Sequence, residues 1–371
     1  MTTKTPAGTI LKTLLGYKAY VPNPLPPHID WDEALVNALS RADYILGKLA
    51  REGSKLPNPH LLIHPFVTRE AVLSSKIEGT QATVGEVLAD EARMSRERSA
   101  DLQEVRNYIL ALEHGLRRLK EIPLSIRLIK EIHEKLMTGV RGQHATPGEF
   151  RRSQNWIGPP GATLNTASYV PPPVDALADC LSDFEKFLHN QQLPPLVHAA
   201  LCHYQFEAIH PFLDGNGRIG RLLITLLLIE RELLPAPLLY LSAFFEASRT
   251  EYYRHLQNIS TSGTWQEWLH YFLHGVSEQA ADALTRAEQI NQLINKWQSQ
   301  ATSSLVMEVI QYLAINPFLT TKKIAQQYNV AITTAQRVIQ KLENIGAIFQ
   351  YTEGKRNRLY CAIEILNILE R

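Results

Sequence analysis

Cysteine is scarce in this chain: Cys180, Cys202 and Cys361 stand far apart and form no CxxC pair. That spacing speaks against a disulfide framework or a zinc knuckle and points to a reducing, cytoplasmic setting. An excess of either charge is missing too. With 38 basic residues against 37 acidic ones, the formal charge is +1, so no global field draws the protein to nucleic acid or to a membrane, and any such contact must come from a local patch. The longest predominantly apolar run, Leu222 to Ile229, is far too short to span a bilayer, and Met1 to Ala19 carries no stretch apolar enough for a signal peptide. Neither a Walker A loop nor an HExxH helix occurs. These absences leave a soluble globular protein of 371 residues, long enough for two or three domains.

Most of the chain carries helical periodicity. Pro22, Pro24, Pro26 and Pro27 form a stiff lead-in to Asp30 and Asp32, which favour a helix start. Leu35, Val36, Leu39, Ala42, Ile45, Leu46 and Leu49 then recur at helical spacing. Thr68 can cap a helix from Arg69 to Glu78 that stops at Gly79, and two more helices span Leu102 to Met137 around Pro123. From Gly148 to Pro173 the character changes: turn residues separate two short strand-like runs, which predicts a β-hairpin. Helical patterning returns at Val174 and lasts to about Trp297, the final stretch being an amphipathic connector.

The densest chemistry lies at His210-Pro211-Phe212-Leu213-Asp214-Gly215-Asn216-Gly217-Arg218-Ile219-Gly220-Arg221. His210 is the side chain there that can take a proton near neutrality, hence a general base. Asp214 is a hard oxygen ligand suited to Mg²⁺ on phosphate oxygens. Gly215 and Gly217 allow close approach of backbone N–H groups to a phosphate, and Arg218 and Arg221, three apart, share a helix face. The apolar run that follows makes this turn the N-terminus of a buried helix, an anion site for a nucleotide polyphosphate. Other readings fit less well. Gly215 to Gly220 satisfies GxGxxG, but an aromatic helical stretch precedes it where a dinucleotide fold needs a strand. His198, His203 and His210 are spaced by five and seven, which does not align three ligands on one helix face. His210 as a cap with both arginines in surface pairs is the remaining bland alternative.

The segment His210 to Arg221 resembles the Fic motif, HPFx[D/E]GN[G/K]RxxR, at every defined position. The resemblance implies transfer of AMP from ATP to a Ser, Thr or Tyr hydroxyl of a protein, or of the chain itself. His210 would deprotonate the hydroxyl and Asp214 would bind Mg²⁺. Gly215, Asn216 and Gly217 would cradle the α- and β-phosphates, Arg218 and Arg221 would hold the β- and γ-phosphates, and Ile219 and Gly220 would belong to the same nucleotide-binding segment. Tyr252 and Tyr253 match the family's pocket tyrosines, with ordinary core packing as their alternative. The 148–173 segment is similar to the flap on which a target protein docks by strand addition. Ser74-Ser75-Lys76-Ile77-Glu78-Gly79 resembles the inhibitory motif [S/T]xxxE[G/N]; Ser74 and Glu78, at i and i+4, share a helix face. Glu78 would then reach Arg221 and take the place of the γ-phosphate.

From Ser303 onward the pattern is helix, turn, helix and hairpin, a winged helix-turn-helix. Thr321 is expected to start one helix and Thr333 with Gln336 to form the capping box of the next. Between 320 and 360, Lys322, Lys323, Arg337, Lys341, Lys355, Arg356 and Arg358 face only Glu343 and Glu353. That basic surface suits duplex DNA, although winged helices also dock proteins. The expected architecture is mainly α: an N-terminal helical region with the inhibitory helix (1–105), a Fic catalytic core with its flap (106–275), a connecting helix (276–302) and the winged helix (303–371). Two other functions remain open: a DNA-binding regulator whose core only senses nucleotide, and a hydrolase that removes AMP with Glu78 aligning a water. A homodimer is also left open.

Overall fold

The computed structural model describes residues 2–55, 60–93, 98–140, 146–354 and 358–371. Its first element departs from the expected helical N-terminus. Strands β1 (Thr2–Thr5), β2 (Gly8–Lys12) and β3 (Lys18–Pro22) form an antiparallel meander with Ile10 opposite Tyr20. Threonine-rich, partly exposed strands this short carry no clean two-residue alternation, so periodicity misses them. The meander is tied inward: Tyr20 N donates to Val170 O at 2.8 Å, and the Tyr20 and Tyr204 hydroxyls lie 3.3 Å apart.

Helix α1 (Glu33–Lys55) begins where Asp32 Oδ1 accepts from Leu35 N at 2.7 Å. It buries Leu35, Ala42, Leu46 and Leu49, while Val36 points outward. Its partner is the long α11 (Trp265–Gln298). Helix α2 (His60–Ile77) is longer than expected and runs through Pro65. Thr68 is therefore no cap; it lies inside the helix and its hydroxyl donates to His64 O at 3.0 Å. Burial of Phe66, Val67 and Ala71 outweighs the hydrogen bond that proline removes. Gly79, at φ 101°, makes the turn that follows.

Three further helices, α3 (Val84–Arg93), α4 (Ala100–Arg118) and α5 (Ile126–Met137), complete the N-terminal half, with Ser99 and Ser125 capping the last two. The core helices are α6 (Val174–Leu188), α7 (Pro195–Ile209), α8 (Asn216–Glu230), α9 (Ser242–Ala247) and α10 (Arg249–Ser262). Helices α7 and α8 pack against one another, and α7 is buried on nearly every face, as its apolar composition requires. The expected hairpin at 148–173 is reduced to a single antiparallel bridge, Ile157 to Tyr169. Pro159, Pro160 and Pro171 to Pro173 cannot donate to a ladder, which limits pairing to that point.

The tail consists of α12 (Ser304–Leu313), β4 (Phe318–Leu319), α13 (Thr321–Gln327), α14 (Ile332–Asn344), β5 (Phe349–Gln350), β6 (Tyr360–Cys361) and α15 (Ile363–Glu370), with sheet order β4-β6-β5. Helix α13 starts at Thr321 as expected, with Thr320 as its cap, whereas α14 starts after Ala331 with no side-chain cap, so the Thr333–Gln336 box does not form. Lys355 and Arg356 lie outside the described residues. Helix α15 packs on α2, α3 and α11, and Glu370 Oε1 accepts from Gly85 N at 2.9 Å. Among the described residues no helix is long and apolar enough to cross a membrane.

Close packing makes one glycine testable. A Cβ on Gly275 of α11 would lie 2.5 Å from Phe244 Cδ1 of α9. Gly275→Val is expected to lower the unfolding free energy by about 2–3 kcal/mol through overpacking. Gly47→Ala in α1, where nothing lies within 4 Å of the new Cβ, should raise it by up to ~1 kcal/mol. Chemical denaturation of both variants checks the pair.

Candidate active site

Helix α7 ends at His210, whose backbone is left-handed at φ 49°. The chain reverses there and enters the 210–215 loop. His210 Nδ1 lies 3.3 Å from Glu207 O. A carbonyl can only accept, so Nδ1 carries the proton and Nε2 keeps its lone pair. Burial pushes the His210 pKa down to about 4, which keeps the ring neutral, and able to accept a proton, at pH 7.

The loop is held rigid from several sides. Asn216 accepts from Phe212 N at 2.8 Å and donates to Phe212 O at 2.9 Å, so its side chain closes the loop and only its backbone is left for a ligand. Asn155 donates to Phe212 O at 2.7 Å. Arg151, 2% exposed, donates through Nε to His210 O at 3.0 Å and through Nη2 to Pro172 O at 2.5 Å. It thereby joins the flap to the His210 loop. His133 of α5 stacks on Phe212 with centroids 3.7 Å apart, accepts from Gly148 N at 2.9 Å and faces Asp214 O at 3.0 Å. None of Arg151, Asn155 and His133 was legible as a site residue. Arg151 and Asn155 belong to the segment read as a β-hairpin flap, with no role of their own in it, and His133 sits among apolar helix positions.

Gly215, at φ 79°, opens α8. The Asp214 side chain is 51% exposed, and Arg218 Nη2 lies 3.5 Å from its Oδ1. Arg218 is itself 5% exposed, and its Nε and Nη1 are buried without a hydrogen-bond partner. Nη1 lies 3.9 Å from Glu104 Oε2, an ion pair without a hydrogen bond, so this buried guanidinium at a helix N-terminus keeps donors that an anion can take. Ile219 packs in the core, and Gly220 O faces His203 Nδ1 at 3.0 Å. Both lie in the α7–α8 packing and do not line the cavity described below.

Arg221, 2% exposed, meets α2. Its Nη2 donates to Glu78 Oε1 at 2.7 Å and to Ser74 O at 2.9 Å, and its Nε donates to Ser74 Oγ at 2.9 Å. Glu78 thus reaches Arg221 across 143 residues of sequence, and Ser74, expected only to share a helix face with Glu78, adds two bonds across 147. Burial alone would raise the Glu78 carboxyl pKa; the Arg221 cation outweighs that and holds it below the usual range. Burial likewise opposes the Arg221 charge, and Glu78 more than restores it. Gly217 permits the approach, since a Cβ there would collide with Glu78 Oε1. One turn before Ser74, buried Glu70 accepts from Tyr108 Oη at 3.0 Å and from Ser242 Oγ at 2.5 Å, which fixes α2 in place.

A cavity of about 570 Å³ opens beside these groups, within the range of small-molecule sites. Glu78, His210, Gly217 and Arg221 line it together with Tyr204, Tyr252, Tyr253 and Leu256, and Ile157 and Tyr169 of the flap also face it. The tyrosine pair divides its work. Tyr252 is fully buried, its hydroxyl 2.8 Å from His203 Nε2, whereas Tyr253 is 41% exposed. Glu207 also lines the cavity. Its Oε1 is buried without a partner, and burial lifts its pKa to about 7. His198 does not join a metal cluster; its Nε2 lies 2.8 Å from Phe187 O. Among the described residues no three His, Cys, Asp or Glu side chains are grouped to hold a metal.

These histidines carry a stability consequence. Burial depresses His133, His198 and His210 to about 4 and His203 to about 3. The unfolded chain takes up protons below about 6.5 that the folded chain refuses. Stability is therefore complete above pH 6.5 and lost as pH falls toward 4. Glu207, raised to about 7, and His64, Glu70 and Asp43, also raised, have the opposite sign and offset part of that loss. The melting temperature is expected to drop clearly between pH 7 and pH 5; a flat profile would contradict the assignment.

Comparison with known proteins adds a family. The model described as Fic/DOC family N-terminal matches residues 36–117 and that of the Fic/DOC family matches 123–228, together just over half of the chain. The protein adenylyltransferase Fic of Drosophila yakuba is 37% identical over 118 residues, which is 30% of this chain and 21% of that protein. Its Drosophila melanogaster counterpart is 36% identical over the same extent. The chain thus matches about a fifth of the length of these curated relatives. Among solved structures, a Fic family protein from Desulfovibrio desulfuricans superposes with a TM-score of 0.59 at 21% identity, covering 91% of this chain and 98% of the other. A Fic domain containing signaling protein from Bacteroides thetaiotaomicron gives 0.51 at 20% identity, covering 69% and 95%. These structures share the fold.

Proposed function

Because this chain belongs to the Fic/DOC family, we propose that it transfers AMP from ATP to a Ser, Thr or Tyr hydroxyl of a protein and that Glu78 restrains the reaction. The observation that carries this reading is the Glu78 carboxylate seated on Arg221 at 2.7 Å, in the cavity that His210 also lines. The matched relatives named protein adenylyltransferase support the chemistry. In the proposed step the target oxygen bonds to the α-phosphorus and its proton passes to His210 Nε2. The bond from the α-phosphorus to the bridging oxygen breaks, and pyrophosphate leaves. Backbone N–H groups of Gly215, Asn216 and Gly217 would face the α- and β-phosphates, and the spare donors of Arg218 would meet the β- or γ-phosphate.

Mg²⁺ binds through one or two carboxylates plus phosphate oxygens and keeps several waters. A lone half-exposed Asp214 fits that role, with no need for an all-protein cage. Bound there, the ion would supply charge neutralisation on the departing pyrophosphate. The exposed Trp156 and Ile157 beside the Ile157–Tyr169 bridge support target docking on the flap. Glu78 bonds Arg221 through Oε1 alone and its side chain is 37% exposed, so it could also align a water for the reverse reaction, removal of AMP.

Labelled ATP separates these readings. Glu78→Gly should raise AMP incorporation on the order of 10²-fold, the worth of one well-placed donor to a transition-state oxygen. It should abolish any AMP removal. His210→Ala should reduce transfer by about 10²- to 10⁴-fold, and Arg221→Ala should stay inactive even when combined with Glu78→Gly. A Glu78→Gly variant no more active than the parent at saturating ATP would overturn the restraint and leave the family assignment standing.

The tail supports a second property, duplex binding. Lys322, Arg337, Lys341 and Arg358 are all exposed; Lys322 and Arg358 line a groove beside α14 together with Glu343, and Arg337 and Lys341 lie on α14 outside that lining. Fluorescence anisotropy against duplex DNA should show affinity falling steeply with salt. Arg337→Ala and Lys341→Ala should each lower the slope of log affinity against log salt by about 1. No binding even at low salt would leave the tail as a protein-docking module.

A further inference from the structure

We propose that Glu207 recognises the ribose of the bound nucleotide, its carboxylate accepting hydrogen bonds from the 2′ and 3′ hydroxyls; this rests on the reading of the cavity as a nucleotide site. Tyr204 and Glu207 stand three residues apart on α7, His210 follows three residues later at the left-handed turn that ends the helix, and all three line the cavity. Three residues advance a helix by about 4.5 Å on nearly the same face. That is the order of spacing from base to sugar to α-phosphate. His210 and Arg221 mark the phosphate end. Tyr204, with Tyr252, Tyr253 and Leu256, supplies an aromatic and apolar end suited to a flat base. The side chain midway between them is a carboxylate.

Its chemistry matches that place. Glu78 is bonded to Arg221 and Glu70 to Tyr108 and Ser242, whereas Glu207 Oε1 is buried with no partner. Oε1 is turned to Gly220 in the α7–α8 packing, which leaves Oε2 as the oxygen that meets the two hydroxyl donors of a ligand. Two hydroxyl donors favour its ionised form, and the carboxylate so formed repels phosphate, which prevents the polyphosphate from sliding toward the base end. Gly220 makes room for this arrangement, because a Cβ there would strike Glu207 Oε1. The same carboxylate thus sets both sugar selection and register.

Calorimetric titration of the full chain with ATP, 2′-deoxy-ATP, 3′-deoxy-ATP and the purine riboside triphosphate lacking the 6-amino group tests this without requiring turnover. The parent protein should bind ATP about 10- to 100-fold tighter than either deoxy form, as expected for hydrogen bonds to a charged group. Glu207→Ala should bind ATP and both deoxy forms alike, near the parent's deoxy level, and Glu207→Gln, which keeps one acceptor, should fall between. Equal affinity of the parent for ATP and both deoxy forms would overturn the proposal without any variant. So would a Glu207→Ala loss that tracks the 6-amino group and not the hydroxyls. Ribose discrimination in a chain that transfers no label would sink AMP transfer and leave Glu207 in place; a chain that binds no ATP would sink both.

Discussion

A guanidinium taken out of water must be compensated, and in this protein the compensation of Arg221 organises the site. Arg221 is 2% exposed and is met twice by Ser74 of α2 and once by Glu78, just past the end of that helix. Removing one partner from such a buried pair leaves an uncompensated charge, which is far more costly than the pair is stabilising. Arg221 therefore needs an anion beside it at all times. Glu78 is that anion in the chain alone, and in the proposed reaction the γ-phosphate takes its place. Restraint and substrate recognition then become two occupancies of one cation.

The surrounding fold makes that exchange local. Glu70 locks α2 to α4 and α9 two turns before Glu78, so the Glu78 carboxylate sits just past the end of an anchored helix, beside the Gly79 turn. Gly217 and Gly220 keep α8 bare where Glu78 and Glu207 approach it. Arg151, Asn155 and His133 fasten the flap and α5 to the 210–215 loop. Positions that must be rigid are over-determined by hydrogen bonds, and the one group proposed to move is half-exposed. The tail is joined to the same frame, since α15 packs on α2 and Glu370 caps α3.

Much of this was legible because the chemistry is local in sequence. His210 to Arg221 fall within a dozen residues, and Ser74 and Glu78 are one helical turn apart, so spacing alone puts their side chains together. In the tail, α13, α14 and the β5–β6 pair followed from periodicity and turn residues for the same reason, whereas α12, β4 and α15 were not anticipated. What escaped depends on distant neighbours. Pro65 sits inside α2 because the buried face of that helix overrides a local stop signal. The meander at 2–22 has no periodic signature, and the flap forms one bridge where two strands were expected. Arg151, His133 and Glu70 gain their roles from partners 59, 81 and 172 residues away. No reading of their immediate sequence could supply those. Glu207 lay three residues from the motif, yet its significance comes from a cavity that only the packing of α7, α8 and α10 creates.

The central claim is that Glu78 and the γ-phosphate compete for Arg221. Crystal structures of the chain and of its Glu78→Gly variant, each holding a non-hydrolysable ATP analogue and Mg²⁺, test it directly. The account predicts Arg221 Nη2 on Glu78 in the first and on a γ-phosphate oxygen in the second, with the α-phosphorus moving toward His210 Nε2 only in the variant. Arg221 bonded to the γ-phosphate in both, with the α-phosphate in the same place, would contradict it.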